Sequence, residues 1–362
     1  MRIGIIGAGQ LGQMLGFAAR ELGFECMFVD PSEEPPAAAC GEVIRAEFDD
    51  AEALSALAER CDVVSYEFEN VSVDALQQIR DRVAIYPPPE ALLHAQDRLA
   101  EKKLFQSLDI PLPAFHRIDN RADMDAAAST VGLPMVIKTR RFGYDGKGQT
   151  VVRTTADLDA AWELLGGTEL IAEAWVDFDY EVSAIGARNV SGSVIIFPLT
   201  RNRHVDGILH TSRAPERSTQ LADLAETYMR RLLDELDYVG VLALELFVAG
   251  DRLLANEFAP RVHNSGHWSI EGATPNQFSA HLLAICDQEL LTPQLHGHAG
   301  MVNLIGSIPD AARSLNAGTL HDYGKAARPG RKLGHITVVS EAEAERDRLL
   351  IEIEDSVIES TT

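Results

Sequence analysis

The sequence predicts an α/β protein whose pattern changes to α+β after about residue 95, with a small C-terminal part beyond about residue 290. Three observations carry this. Apolar strand patterns and amphipathic helix patterns alternate strictly through the first part. "YPPPE", residues 86–90, then interrupts the alternation with three prolines. Past it, extended segments follow one another through short turns, which is the grammar of an antiparallel sheet. The expected domains are 1–95, 96–290 and 291–362.

In chain order, the strands expected first are 2–6, 26–29, 63–66 and 83–86, with helices over 11–22, 51–59 and 73–80. Alternation of this kind builds right-handed βαβ units and a parallel, Rossmann-like sheet. A charged helix is expected over 96–108, another near 122–131, then the strand "PMVIK" and the glycine-rich "RRFGYDGKGQ". "ELIAEAWV", "DYEVSAIGA", "SVIIFPLT", "YVGVLALELFV" and "RLLANEFA" read as strands, interrupted by helices near 222–236 and 276–286. The last stretch holds two strand signals, "MVNLIGS" and "HITVVS", and a charged closing helix.

Composition narrows the function. A formal net charge of −23 argues against a nucleic-acid partner, which needs a basic footprint. The same acidity makes any locally basic stretch a candidate anion site. Cys26, Cys40, Cys61 and Cys286 lack metal or disulfide spacing and read as free thiols in a reducing compartment. No apolar run reaches the ~18 residues of a membrane span, and no signal peptide is evident. A cytoplasmic protein is expected.

"MRIGIIGAGQLG" opens the chain with strand, glycine turn and helix, the dinucleotide fingerprint. Gly7, Gly9 and Gly12 would admit a ligand to the helix N-terminus, and Asp30 stands at roughly the ~20-residue offset of a ribose-binding acid. Taken alone, the turn fits NAD, another anion or nucleotide, or a purely structural corner. "VVSYEFENV" ends a neighbouring strand in Glu67, Glu69 and Asn70, either on the same crevice or as a solvated acidic loop.

The second glycine loop is more specific. A strand ending in Lys138 meets Gly143, Gly146 and Gly148 among Arg140, Arg141 and Lys147, the flexible N–H groups and cations that a polyphosphate needs. Further on, Glu245 and Glu257 each interrupt an apolar strand of one hairpin turning at Gly250-Asp251. A three-residue loop would set them face to face, where Mg²⁺ suits two hard carboxylates plus phosphate oxygens. A two-residue turn would pair Glu245 with Asn256 instead. One of the two carboxylates paired with Arg261 is the plainer alternative. A polyphosphate loop with a Mg²⁺ hairpin points to ATP rather than hydride transfer.

These residues resemble the ATP-grasp enzymes. "GAGQLG", "KTRRFGYDGKGQ", "TRNRHVDGIL", "NEFAPRVHNSGHW" and "RPGRKLGH", in this order, are similar to the 5-(carboxyamino)imidazole ribonucleotide synthase family of purine biosynthesis. The resemblance implies an ATP-grasp fold and an ATP-dependent ligase. ATP would convert bicarbonate to carboxyphosphate, which carboxylates the amine of aminoimidazole ribonucleotide. It implies that Arg98 and Lys138 meet ATP phosphates under a loop of Gly143, Tyr144, Asp145, Gly146, Lys147, Gly148 and Gln149. Glu173, Ala174, Trp175 and Val176 would meet adenine, Glu181 the ribose, His204 the phosphates, and Asn256 the nucleotide. Glu245 and Glu257 would hold Mg²⁺; Ala259 stands where many ATP-grasp enzymes carry a metal-binding Asn. Gly9, Gln10, Leu11, Glu69 and Asn70 would face the ribonucleotide, and a homodimer is implied.

"KAARPGRK" packs Lys325, Arg328, Arg331 and Lys332 together, a solvated patch or, with the resemblance, the cations for ribonucleotide and carboxyphosphate. Arg261 and His263 would meet bicarbonate and the transferring phosphoryl group. Asp145 would accept a hydrogen bond from the substrate amine as its base. His210, His267 and Trp268 read as packing or surface residues. A formate-dependent glycinamide ribonucleotide transformylase is the nearest alternative. An NAD-dependent dehydrogenase and a noncatalytic ATP-binding module are more distant.

Overall fold

The computed structural model describes residues 1–143, 147–314 and 318–359. Its first sheet is five-stranded and parallel, with Arg2–Ile6 at the centre between Glu25–Val29 and Val63–Tyr66. The central strand is buried on both faces, as its unbroken apolar run requires. Glu42–Ile44, a strand not expected from the sequence, and the short Ala84–Ile85 form the edges.

The last of the three prolines starts a helix. Pro89 occupies the first turn of Pro89–Ala95, where a missing N–H costs nothing. The charged stretch expected as one helix over 96–108 begins only at Arg98, because Asp97 caps it by accepting from Leu99 N at 2.9 Å. The helix expected over 73–80 is likewise shorter, Val73–Gln77.

Beyond lie two larger antiparallel sheets and a short two-stranded one, Ala273–Thr274 with Gln294–Leu295. Of the larger pair, one is four-stranded and runs Phe115–Ile118, Leu170–Ala174, Met135–Thr139, Gln149–Val152. The other is nine-stranded and contains the hairpin Gly240–Ala249 with Arg252–Ala259 at one edge. The C-terminal strands His298–Ile305 and Lys332–Ser340 pair with each other and extend this same large sheet through Ile208–Ala214. Thr319–Asp322, too short to read from the sequence, adds the far edge.

One continuous core joins the first sheet to the large one, with Ile3, Ile5 and Phe28 in the same cluster as Val241, Trp268 and Ile285. A polar strut crosses it. His281 accepts from Val241 N at Nδ1 (3.1 Å), which leaves the proton on Nε2 to donate to Ser65 Oγ at 2.9 Å. Among the described residues no helix is long and apolar enough to cross a membrane.

Candidate active site

The two larger antiparallel sheets and the loops of the parallel one enclose a cleft of about 630 Å³, a size suited to a small ligand. Carboxyl ends of parallel strands deliver Gln10, Leu11, Glu69 and Asn70 to its wall. The four-stranded sheet and its loop deliver Lys138, Gly143, Lys147, Gln149 and the run Glu173, Ala174, Trp175, Val176. The large sheet delivers Glu181, His204, Glu245, Asn256, Glu257, then Arg261 and His263, with Arg98 and Lys332 also on the wall. Gly9, Gly148, Lys325 and Arg331 stand off that wall. Tyr144, Asp145 and Gly146 lie outside the described residues.

Glu245 and Glu257 are cross-strand partners, but the hairpin reaches that register by its own route. Its loop is the two-residue Gly250-Asp251, with Ala249 opposite Arg252, which would set Glu245 against Asn256. A bulge between Glu245 and Leu246 leaves Asn256 unpaired and brings Glu257 into place. Arg98 Nη1 lies 2.8 Å from Glu257 Oε2. Burial raises the Glu257 carboxyl, but the Arg98 charge overrides it and holds the group below its ordinary range. Burial, then the Glu257 charge, pushes Glu245 up. Among the described residues no three His, Cys, Asp or Glu form a metal cluster. Two opposed carboxylates do fit Mg²⁺, which takes few protein ligands and completes its shell with phosphate oxygens and water.

Arg261 does not pair with either of these carboxylates. Its Nη2 lies 2.5 Å from Glu69, joining the hairpin's end to the N-terminal loops. Its buried Nε finds no acceptor among the described residues. His263 is held at both ring nitrogens. Ser265 N donates to Nδ1 at 3.3 Å, so the proton sits on Nε2, 3.1 Å from Glu245 Oε1. Burial, then the Arg261 and Lys332 charges, keep this imidazole neutral. His263 therefore orients Glu245 here. His204 Nδ1 meets Glu181 Oε2 at 2.6 Å; burial lowers its pKa, and the Glu181 bond outweighs that to raise it.

Glu173 is buried with both Lys102 (3.4 Å) and Lys138 (3.1 Å) on its Oε2. Burial alone would raise its pKa, yet Lys102 and then Lys138 pull it to about 2. Its Oε1 finds no donor among the described residues.

The glycine turn is occupied by the chain itself. Gly9 N and Gly12 N both donate to the carboxylate of Glu67, and Ala8 N donates to Asp30 at 2.8 Å. A Cβ on Gly9 would fall 2.7 Å from Glu67 Oε1. The amides that hold a pyrophosphate in a dinucleotide enzyme thus serve a buried side chain. Lys325 Nζ donates to Gln10 Oε1, which places this lysine just behind the wall. Arg331 Nη1 donates to Ala326 O at 3.2 Å and stays on the turn of the basic stretch.

Sequence reasoning left out Glu101, a buried residue on the cleft wall, and Lys102, buried behind it. Arg98 and Lys102 are four apart on one helix and so share a face, which was the available signal. Glu101 accepts from Phe258 N at 2.7 Å, and burial pushes its carboxyl up to about 8.

Three families match in chain order. They are the ribonucleotide synthetase preATP-grasp domain over 1–96, the ATP-grasp domain over 103–278, and the phosphoribosylaminoimidazole carboxylase C-terminal domain over 299–348. N5-carboxyaminoimidazole ribonucleotide synthase of Pseudomonas aeruginosa is 46% identical, covering 93% of this chain and 94% of that protein. The solved N5-carboxyaminoimidazole ribonucleotide synthetase of Thermus thermophilus superposes with a TM-score of 0.94 at 46% identity, covering 98% of both chains. An Aspergillus clavatus N5-carboxyaminoimidazole synthase in complex with ADP and 5-aminoimidazole ribonucleotide gives 0.92 at 30% identity, covering 99% and 98%.

Proposed function

The chain belongs to the N5-carboxyaminoimidazole ribonucleotide synthase family of ATP-grasp ligases, and we infer from that membership how its residues share the reaction. The activity is ATP-dependent carboxylation of 5-aminoimidazole ribonucleotide in purine biosynthesis. One observation carries the division of labour. A single cleft holds a buried acceptor and a buried donor that find no partner among the described residues, Glu173 Oε1 and Arg261 Nε, together with the opposed carboxylates Glu245 and Glu257.

Glu173 Oε1 suits the amine edge of adenine, beside Ala174, Trp175 and Val176. Glu181, paired with His204, suits the ribose, while Arg98, Lys138 and the loop of Gly143, Lys147 and Gln149 suit the phosphates. Mg²⁺, held by Glu245 and Glu257, would offset the charge that develops on the transferred phosphoryl group. His263 keeps Glu245 turned to that position. Bicarbonate oxygen would attack the γ-phosphorus and release ADP, and Arg261 Nε is aimed for the carboxyphosphate so formed. The ribonucleotide amine then attacks the carboxyl carbon, phosphate leaves, and the amine loses a proton. Asp145, on sequence grounds alone, is the acceptor for that proton.

Gln10, Leu11, Glu69 and Asn70 would hold the ribonucleotide, with Lys325 and Lys332 supplying cations near it. The Arg261–Glu69 pair ties this half of the cleft to the ATP half, so that carboxyphosphate would form beside its acceptor. The same reading makes the protein a cytoplasmic homodimer, supported by the family resemblance. The deciding experiment measures ADP release with and without bicarbonate and aminoimidazole ribonucleotide. Full ADP release should need both; release that needs formate instead would overturn the reading.

A further inference from the structure

Lys102 is fully buried, with 0% of its side chain exposed, and it is absent from the cleft wall on which Lys138 stands. A lysine is buried this completely only when paired. Its ammonium meets two oxygens among the described residues. One is Glu173 Oε2, the same oxygen that Lys138 meets. The other is the carbonyl of Asn256, the residue bulged out of the hairpin ladder. A bulge leaves its extra residue's backbone outside the ladder, and a buried carbonyl there needs a donor. Lys102 supplies it.

We propose that Lys102 is a positioning residue of the nucleotide site: its ammonium stays on Glu173 and on the bulged Asn256 carbonyl, which frees Lys138 to move onto a nucleotide phosphate. The proposal rests on the reading of the cleft as an adenine-nucleotide site. Two ammoniums on one carboxylate oxygen are redundant while the cleft holds no anion. They stop being so when a phosphate arrives, because Lys138 leaving Glu173 alone would strand a buried carboxylate without a counter-ion. With Lys102 behind it, Glu173 stays ionised and paired, and its Oε1 remains turned to the cleft. The bulge carbonyl gives the same ammonium a grip on the residue next to Glu257, so the two ends of the nucleotide are held through one buried charge.

The test is calorimetric binding of adenosine and of ADP at fixed Mg²⁺. The variants are Lys102→Met, Lys102→Gln, which keeps a donor for Asn256 without the charge, and Lys102→Met with Glu173→Gln. Loss of the charge should trap Lys138 on Glu173. The affinity advantage of ADP over adenosine should then fall by about tenfold or more in both single variants, while adenosine binding changes little. Neutralising Glu173 as well should release Lys138 and restore the advantage to within about threefold of wild type. A folded Lys102→Met that keeps the wild-type advantage overturns the proposal. So does an equal loss of both ligands, or a failure to fold that Glu173→Gln does not cure, since either would make Lys102 only a structural strut. A wild-type protein that binds neither ligand would overturn the nucleotide reading and this proposal with it.

Discussion

Glu245 and Glu257 face each other across two strands because one residue, Asn256, is squeezed out of the ladder between them and the turn. Like charges placed so closely repel unless a cation intervenes. Arg98 sets a guanidinium 2.8 Å from Glu257. Glu257→Gln should cut ADP formation by about 100-fold or more, because it removes half of the charge offered to Mg²⁺. It also leaves Arg98 short of its partner, so a melting temperature a few degrees lower is expected. Near-normal turnover at saturating Mg²⁺ would remove Glu257 from the metal site.

This register could not be read from the chain, although the two carboxylates could. Their interruption of apolar strands is local; the bulge is not, since the carbonyl it frees is taken by Lys102, over a hundred and fifty residues earlier. The parallel sheet was legible for the opposite reason. Each of its central strands is a short apolar run bounded by polar turns. The glycine turn shows the limit most clearly. Its spacing announces an anion at a helix N-terminus, and an anion is there, but it is Glu67 of the same chain.

That capture changes what a substitution in the turn should do. Glu67→Gln replaces one accepting oxygen by an amide donor facing a backbone N–H, so one of the two bonds to Gly9 and Gly12 must break. Gly9→Val displaces the same carboxylate, since its Cβ would lie 2.7 Å from Oε1. Both variants should weaken the ribonucleotide by about tenfold and leave ADP binding near wild type, as titration of each ligand would show. Equal losses for the two ligands would mean that the turn supports the whole fold rather than one half of the cleft.

The strut at His281 gives a stability prediction with a definite sign. Burial lowers its pKa to about 3, so the folded protein keeps it neutral while the unfolded chain protonates it below about 6.5. The unfolded state therefore binds one more proton between those values, and this histidine's contribution is lost as pH falls. His281→Gln should cost about 1–3 kcal/mol at pH 8, where Val241 N or Ser65 loses its partner. The gap to wild type should narrow by about 2 kcal/mol at pH 5, at ~1.4 kcal/mol per pH unit. Urea unfolding at the two pH values measures both; a gap that widens on acidification would contradict the neutral assignment.

Lys325 supplies the last test, because burial and three charged neighbours set its charge. Burial pulls its pKa down to about 8, the Arg331 charge pulls the same way, Glu67 opposes, and Lys332 adds a smaller push downward. The ammonium is the form that can meet an anion and donate to Gln10. Turnover limited by that form should be flat below about pH 8 and fall tenfold per unit above it. Arg331→Ala removes a positive neighbour, so Lys325 should hold its proton longer and the alkaline fall should move to higher pH. That shift is expected even though Arg331 stands off the cleft wall. Lys325→Met should abolish the fall altogether and leave ATP binding intact, since Lys138 and Arg98 are untouched. ADP release and labelled carbon fixed from bicarbonate, counted in parallel, should then diverge, with ADP formed in excess of carboxylated product. An alkaline limb that stays in place in Arg331→Ala would assign it to another group, and full coupling in Lys325→Met would return the basic stretch to the solvated surface.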